Sequence, residues 1–176
     1  MSKTLLLMRH AKSSWDDLTL DDFDRPLNAR GQKAAPRMGG YIESNGLIPD
    51  LVVCSTARRT CETWKLMQKS IGDEVQSKMM KSLYLASPSQ LLRVIHRVPD
   101  GIGRLLVIAH NPGIQELAVR LEARSDDERT RAQPSEVHAK FPTAALAILS
   151  VDARSWSETA YGQAQLVDFV RPRQLR

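Results

Sequence analysis

Apolar positions along the chain fall into two patterns: dense short runs, and a recurrence every three or four residues. Thr4–Met8, Asp50–Cys54, Leu105–Ala109 and Ala144–Val151 are dense runs. Runs this short without alternation read as strands buried on both faces, which is the habit of parallel sheets. Between them lie helical spacings. Ala34, Met38 and Ile42 share one face of a helix capped by Asn28, and Pro36 inside its pattern predicts a kink there. Cys61, Trp64 and Met67 repeat on a helix after Ser55 or Thr56, and Leu91, Leu92, Ile95 and Val98 on one opened by Ser87-Pro88. Pro112-Gly113 opens another, Ile114 to about Leu121. Glu74–Ala86 holds a short strand whose register is open. Trp156–Tyr161 and Ala164–Val170 read as a late hairpin or edge strands. Strands alternating with helices predict an α/β fold, a three-layer sandwich. Its central sheet is mostly parallel, helices cover both faces, and an antiparallel edge lies toward the C-terminus.

At 176 residues and 42% hydrophobic, the chain suits a single domain spanning 1–176. The formal charge of +5 is spread without basic runs, and aromatics are 5%, so nucleic acid is not an expected partner. No apolar run approaches a membrane span, and the N-terminus has no leader-like h-region. Two cysteines, Cys54 and Cys61, build neither a disulfide framework nor a metal cluster. A cytoplasmic protein without membrane partner, metal or cofactor is the expectation.

The chemistry gathers where the dense runs end. Arg9-His10 follows the first, His110 follows Leu105–Ala109, and Arg58-Arg59 stands just past Cys54. Open α/β sheets bind ligands outside the carboxyl ends of their strands. The chain has no phosphate-binding glycine loop, no nucleophile elbow and no cysteine-to-arginine spacing of a thiol phosphatase. The acidic loop Ser13–Leu27, with Asp16, Asp17, Asp21, Asp22 and Asp24, follows no second buried strand, which argues against an aspartyl-phosphate enzyme. Neutral imidazole is a competent nucleophile, and guanidinium forks match phosphoryl oxygens. The set therefore points to metal-free phosphotransfer. His96 and His138 have no such context and read as structural.

Several motifs then resemble the histidine phosphatase superfamily, and within it the small SixA-like branch of phosphohistidine phosphatases. They are R-H-A at Arg9–Ala11, D-R-P-L-N-A-R-G at Asp24–Gly31, the helix start Ser55–Thr63, and A-H-N-P-G at Ala109–Gly113. Phe141–Ala147 extends the resemblance over nearly the whole chain. It selects Arg59 rather than Arg58 for the pocket. The resemblance implies that His10 becomes phosphorylated and that Arg9, Arg59 and His110 hold the phosphoryl oxygens. Arg25, Ser13 and Ser14 would line the mouth. Two departures stand out. Ala11 replaces the usual glycine, and Lys81–Ala86 lacks the glutamate that larger members use as acid, which leaves Asp24 or Asp16 as the candidate general acid. The implied partner is a phosphohistidine-bearing protein. The alternatives are a small phosphorylated metabolite handled in the same pocket, or a phosphoprotein-binding module of little catalytic power.

Overall fold

The computed structural model describes residues 2–123 and 135–175. Six strands form one sheet in the order β3-β2-β4-β1-β5-β6. They are β1 (Ser2–Arg9), β2 (Leu51–Ser55), β3 (Gln76–Met80), β4 (Arg104–Ala109), β5 (Leu146–Asp152) and β6 (Ala164–Val170). The first four run parallel, while β5 pairs antiparallel with β1, and β6 antiparallel with β5. The expected sandwich with an antiparallel C-terminal edge is thus the observed one. The helices are α1 (Ala29–Ser44), α2 (Arg58–Ile71), α3 (Pro88–His96), α4 (Gly113–Leu121) and a single turn α5 (Glu136–Ala139).

The period-two geometry of β1 explains why a strand without alternation is stable here. Leu5 and Leu7 face one layer, with Leu91 and Ile95 of α3 and Ile114, Leu117 and Leu121 of α4. Leu6 and Met8 face the other, with Met38 and Ile42 of α1 and Trp64 and Met67 of α2. All four β1 side chains are fully buried, so each face removes apolar area from water, at about 25 cal/mol per Å².

Helix boundaries follow from local chemistry. Asn28 caps α1 by accepting the Gly31 N–H at 3.0 Å, and α1 continues through Pro36 without a break. Ser87 and Gln90 form a reciprocal capping box at α3. At α2 neither Ser55 nor Thr56, the two residues whose hydroxyls suit a cap before this helix, serves as one: Ala57 holds the N-cap position without a side-chain cap bond, and Ser55 Oγ accepts the Ala57 N–H at 3.3 Å. Ser55 is occupied elsewhere, as described below.

Of the two stretches read as a late hairpin or edge strands, Ala164–Val170 is the edge strand β6 and Trp156–Tyr161 forms no strand. Trp156–Glu158 is a 3-10 turn, with Trp156 buried and its indole N–H donating to the Ile102 carbonyl at 2.7 Å. Its apolar residue anchors the bottom of the sheet instead of pairing with β6. The charged stretch that begins at Arg124 lies outside the described residues as far as position 134.

Candidate active site

Parallel pairing sets the site. β1 and β4 are in register through Arg9↔Ala109, and β2 and β4 through Cys54↔Ile108, so their carboxyl ends share one edge. Arg9 ends β1 and His10 follows it; His110 follows β4; Ser55 ends β2; Arg59 lies in the first turn of α2. The His10 backbone N–H donates to the Ala109 carbonyl at 3.1 Å, which extends the ladder one residue and brings the two histidines together. Their ring centroids are 5.2 Å apart.

The tautomers follow from the partners. His10 Nδ1 lies 2.7 Å from the Ala11 carbonyl, which only accepts, so Nδ1 carries the hydrogen and Nε2 presents a lone pair. Arg59 Nε donates toward that lone pair at 3.3 Å. Arg59 Nη2 donates to His110 Nδ1, also at 3.3 Å, so His110 carries its hydrogen on Nε2 and gives it to Ser55 Oγ at 2.8 Å. One buried guanidinium therefore faces the lone pairs of both imidazoles. Burial holds each histidine down to about 3, and the neighbouring arginine charges push in the same direction. Both rings are neutral at physiological pH.

Around them lies a cavity of about 320 Å³. Arg9, Lys12, Arg25 and Arg59 give it cationic walls, and among the described residues Asp22 is the one carboxylate that lines it. Arg9 Nη1 donates to the Phe141 carbonyl at 3.0 Å, and Asn111 Nδ2 to the same oxygen at 3.1 Å. Burial, and then the charge of Arg59, lower the affinity of Arg9 for its proton. Arg25 is buried with its guanidinium 3.4 Å from the centre of the Trp15 ring. Among the described residues Arg9 Nε and Arg25 Nη1 have no hydrogen-bond partner, and Arg25 Nε has only the Asp22 carboxylate 3.2 Å away in ion-pair contact. Clustered N–H donors of this kind match the oxygens of a phosphoryl group.

The segment after α5 closes the floor. Ala144, at φ 61°, donates its N–H to the carbonyls of both Arg9 and His10, at 3.1 and 3.0 Å. Close backbone packing supports the walls. A Cβ on Gly31 would stand 2.2 Å from the Lys12 carbonyl oxygen, and one on Gly113 would stand 1.9 Å from that of Ala86. Ala11, in place of the usual glycine, is outside the left-handed region and fully buried, with its N–H on Thr63 Oγ1 at 3.0 Å.

Arg9, His10, Ser13, Arg25, Arg59 and His110 thus meet around one cavity, whereas Ser14, Asp16 and Asp24 are not among its lining side chains. Ser14 Oγ accepts the Asp16 N–H in a turn where Asp16 is exposed. Asp22 and Asp24 belong to one 3-10 turn, where successive residues are about 120° apart, so only Asp22 turns inward. Arg58 is half exposed and pairs with Glu62. His96 contacts the Thr159 carbonyl and His138 pairs with Glu122, both away from the cavity.

Asp22 and Tyr84 are site residues that sequence reasoning did not single out. The Asp22 carboxylate accepts Arg59 Nη2 at 3.0 Å and the Tyr84 hydroxyl at 2.6 Å, and lies 3.2 Å from Arg25 Nε. Burial alone would raise its pKa, but these donors and the two arginine charges outweigh it and leave it lowered. Tyr84 stands edge-on to His110 at 5.4 Å and has its own pKa raised, by burial and by the Asp22 carboxylate. The only advance sign was Arg25 three positions after Asp22, an ion-pair spacing.

A parallel sheet carrying two neutral histidines and a cluster of arginines at its carboxyl edge defines a phosphoryl-handling α/β protein. The family described as "Histidine phosphatase superfamily (branch 1)" matches residues 5–80. An uncharacterized protein of Mycobacterium tuberculosis strain H37Rv is 37% identical over 166 residues, which is 94% of this chain and 100% of that protein. A structure from Nakamurella multipartitia named for the phosphohistidine phosphatase SixA superposes with TM-score 0.82 at 28% identity, over 98% of this chain and 97% of that one. One from Agrobacterium tumefaciens, named likewise, gives 0.75 at 25%, over 97% and 98%. The chain belongs to the histidine phosphatase superfamily. Within it, the chain is closely related to the SixA-like branch.

Proposed function

We propose that the chain, acting as one domain in the cytoplasm, is a phosphohistidine phosphatase working through a phospho-His10 intermediate. The observation that carries this reading is the tautomer of His10. Its Nδ1–H is fixed on the Ala11 carbonyl, which leaves the Nε2 lone pair, met by Arg59 Nε, as the nucleophile of a residue that lines the cavity. That atom attacks phosphorus. As the Nε2–P bond forms the ring becomes cationic, and the Ala11 carbonyl stabilises its Nδ1–H. Arg9, Arg25 and Arg59 spread donors over the equatorial oxygens, supplying the positive charge that phosphoryl transfer demands. His110, oriented by Ser55, holds the Arg59 guanidinium in place by accepting its Nη2–H on Nδ1. Water then cleaves the Nε2–P bond and releases phosphate.

A protein substrate is supported by the rim. Trp15, Leu18 and Leu85 are 63%, 87% and 55% exposed, and Trp15 and Leu85 also line the cavity. Large apolar side chains around a cationic pocket suit a folded surface that presents one phosphorylated side chain. No helix among the described residues is long and apolar enough to cross a membrane. Both thiols, Cys54 and Cys61, are free, as a reducing compartment keeps them.

The test compares kcat/KM on a phosphohistidine-bearing protein with that on a panel of small phosphomonoesters. The reading predicts strong preference for the protein and loss of turnover in His10→Ala. Preference for one metabolite would keep the pocket and replace the substrate, and binding of phosphate without turnover would make the chain a binding module.

A further inference from the structure

We infer that Asp22, held by Tyr84, is the proton donor to the leaving group and the base for the attacking water. This rests on the phosphatase reading above and adds a catalytic residue to it. The cavity needs such a group, because a basic imidazole leaves phosphorus readily only when its ring is protonated. The turn after β3, where larger members carry a glutamate, holds Tyr84 and Leu85 instead. Tyr84 reaches across the mouth and donates to Asp22 Oδ2 at 2.6 Å. The carboxylate, 44% exposed, thereby lines the cavity on its solvent-facing side, and the Arg59 guanidinium spans from it to His10 Nε2. A leaving group must occupy that side in an in-line displacement.

The groups facing Asp22 are Arg59 from α2, Arg25 from its own loop, Tyr84 from the turn after β3, and His110 from the end of β4. In the free site the two arginines favour the carboxylate. A phosphoryl dianion competes for the same guanidinium N–H groups and places two negative charges beside Asp22. Both changes favour its protonated form, so the substrate itself loads the acid.

The proton inventory closes. In the first step His10 Nε2 bonds to phosphorus, the substrate's P–N bond breaks, and the Asp22 proton passes to the departing imidazole, which leaves neutral. In the second, the Asp22 carboxylate takes one proton from water. The water oxygen bonds to phosphorus, and His10 departs as neutral imidazole with its Nδ1–H retained. Hydrogen phosphate leaves and Asp22 is protonated again.

The experiment measures single-turnover phosphoryl transfer, at saturating substrate, from N-phosphorylated imidazoles whose leaving groups differ in basicity. Wild-type enzyme, Asp22→Asn and Tyr84→Phe are compared across pH. Asp22→Asn preserves shape in a half-exposed loop but carries no transferable proton. It is expected to slow the most basic leaving group on the order of 100-fold and the least basic one by much less. The wild-type rate should fall as pH rises through the Asp22 pKa in the complex, and the variant should lack that limb. Tyr84→Phe removes a donor to the carboxylate, so the limb should move to higher pH. Equal slowing of every leaving group by Asp22→Asn, or a limb that Tyr84→Phe does not move, would overturn the assignment and leave Asp22 a positioning residue. The phosphatase reading is judged separately, by wild-type turnover and its loss in His10→Ala.

Discussion

Adjacent arginines at the start of α2 offer a sharp test of the site. Arg59 is 3% exposed and donates to His10 Nε2, His110 Nδ1 and the Asp22 carboxylate. Arg58, one residue earlier, has its side chain 52% exposed and pairs with Glu62 at 2.8 Å. Replacing Arg59 by alanine removes a preorganised charged donor from a water-poor pocket. Losing one such donor lowers kcat by about 10² to 10³, or about 2.7–4 kcal/mol of transition-state stabilisation. Replacing Arg58 breaks an exposed i,i+4 pair of about 0.3–0.5 kcal/mol, so kcat should change by no more than about twofold. The assay is steady-state turnover of a phosphohistidine-bearing protein, with thermal unfolding of both variants as the control for folding. A second readout is available in the histidines. The Arg59 charge helps to keep both imidazoles neutral, so in Arg59→Ala they should titrate at higher pH by NMR. Comparable kcat losses in the two variants, with both still folded, would refute the placement of Arg59 at the phosphoryl group.

Two further outcomes follow from the same geometry. His10 and His110 are held down to about 3 in the folded chain, against about 6.5 when unfolded. Above pH 6.5 neither state binds these protons; between 6.5 and 3 only the unfolded chain does, so stability should decrease as the pH is lowered through this window, by about 1.4 kcal/mol per unit per histidine. Urea unfolding across this window checks it, and an unchanged pH slope in His110→Gln would contradict the assignment. Gly31→Ala would drive a methyl group into the Lys12 carbonyl, a backbone atom that cannot swing aside. A loss of about 1–3 kcal/mol is expected, with a raised KM because the loop carrying Ser13, Asp22 and Arg25 must shift. Wild-type stability and KM would show that the contact relaxes freely.

Much of this architecture was legible because buried parallel strands declare themselves twice, by dense apolar runs and by the polar residues that end them. Arg9, His10 and His110 were found this way. Arg59 was separable from Arg58 only through the resemblance, since helix phase at the first turn is not readable from composition. Trp156 misled because an apolar residue near a strand has the same appearance whether it pairs in the sheet or plugs its end. Asp22 was hidden among five aspartates of one loop, where no periodicity tells which faces inward. Tyr84 lay in the stretch searched for a carboxylate, but its role depends on a contact with a residue 62 positions away. Such pairs arise from the packing of two loops and leave no local trace.

The account turns on His10 Nε2 forming a bond to phosphorus. Rapid-quench mass analysis of the intact chain, mixed with a phosphohistidine-bearing protein and compared with His10→Ala, tests that directly. The account predicts an acid-labile phosphoryl adduct on His10, formed and lost at rates that match turnover, and absent in the variant. Turnover without an adduct on His10, or an adduct that persists in His10→Ala, would contradict it.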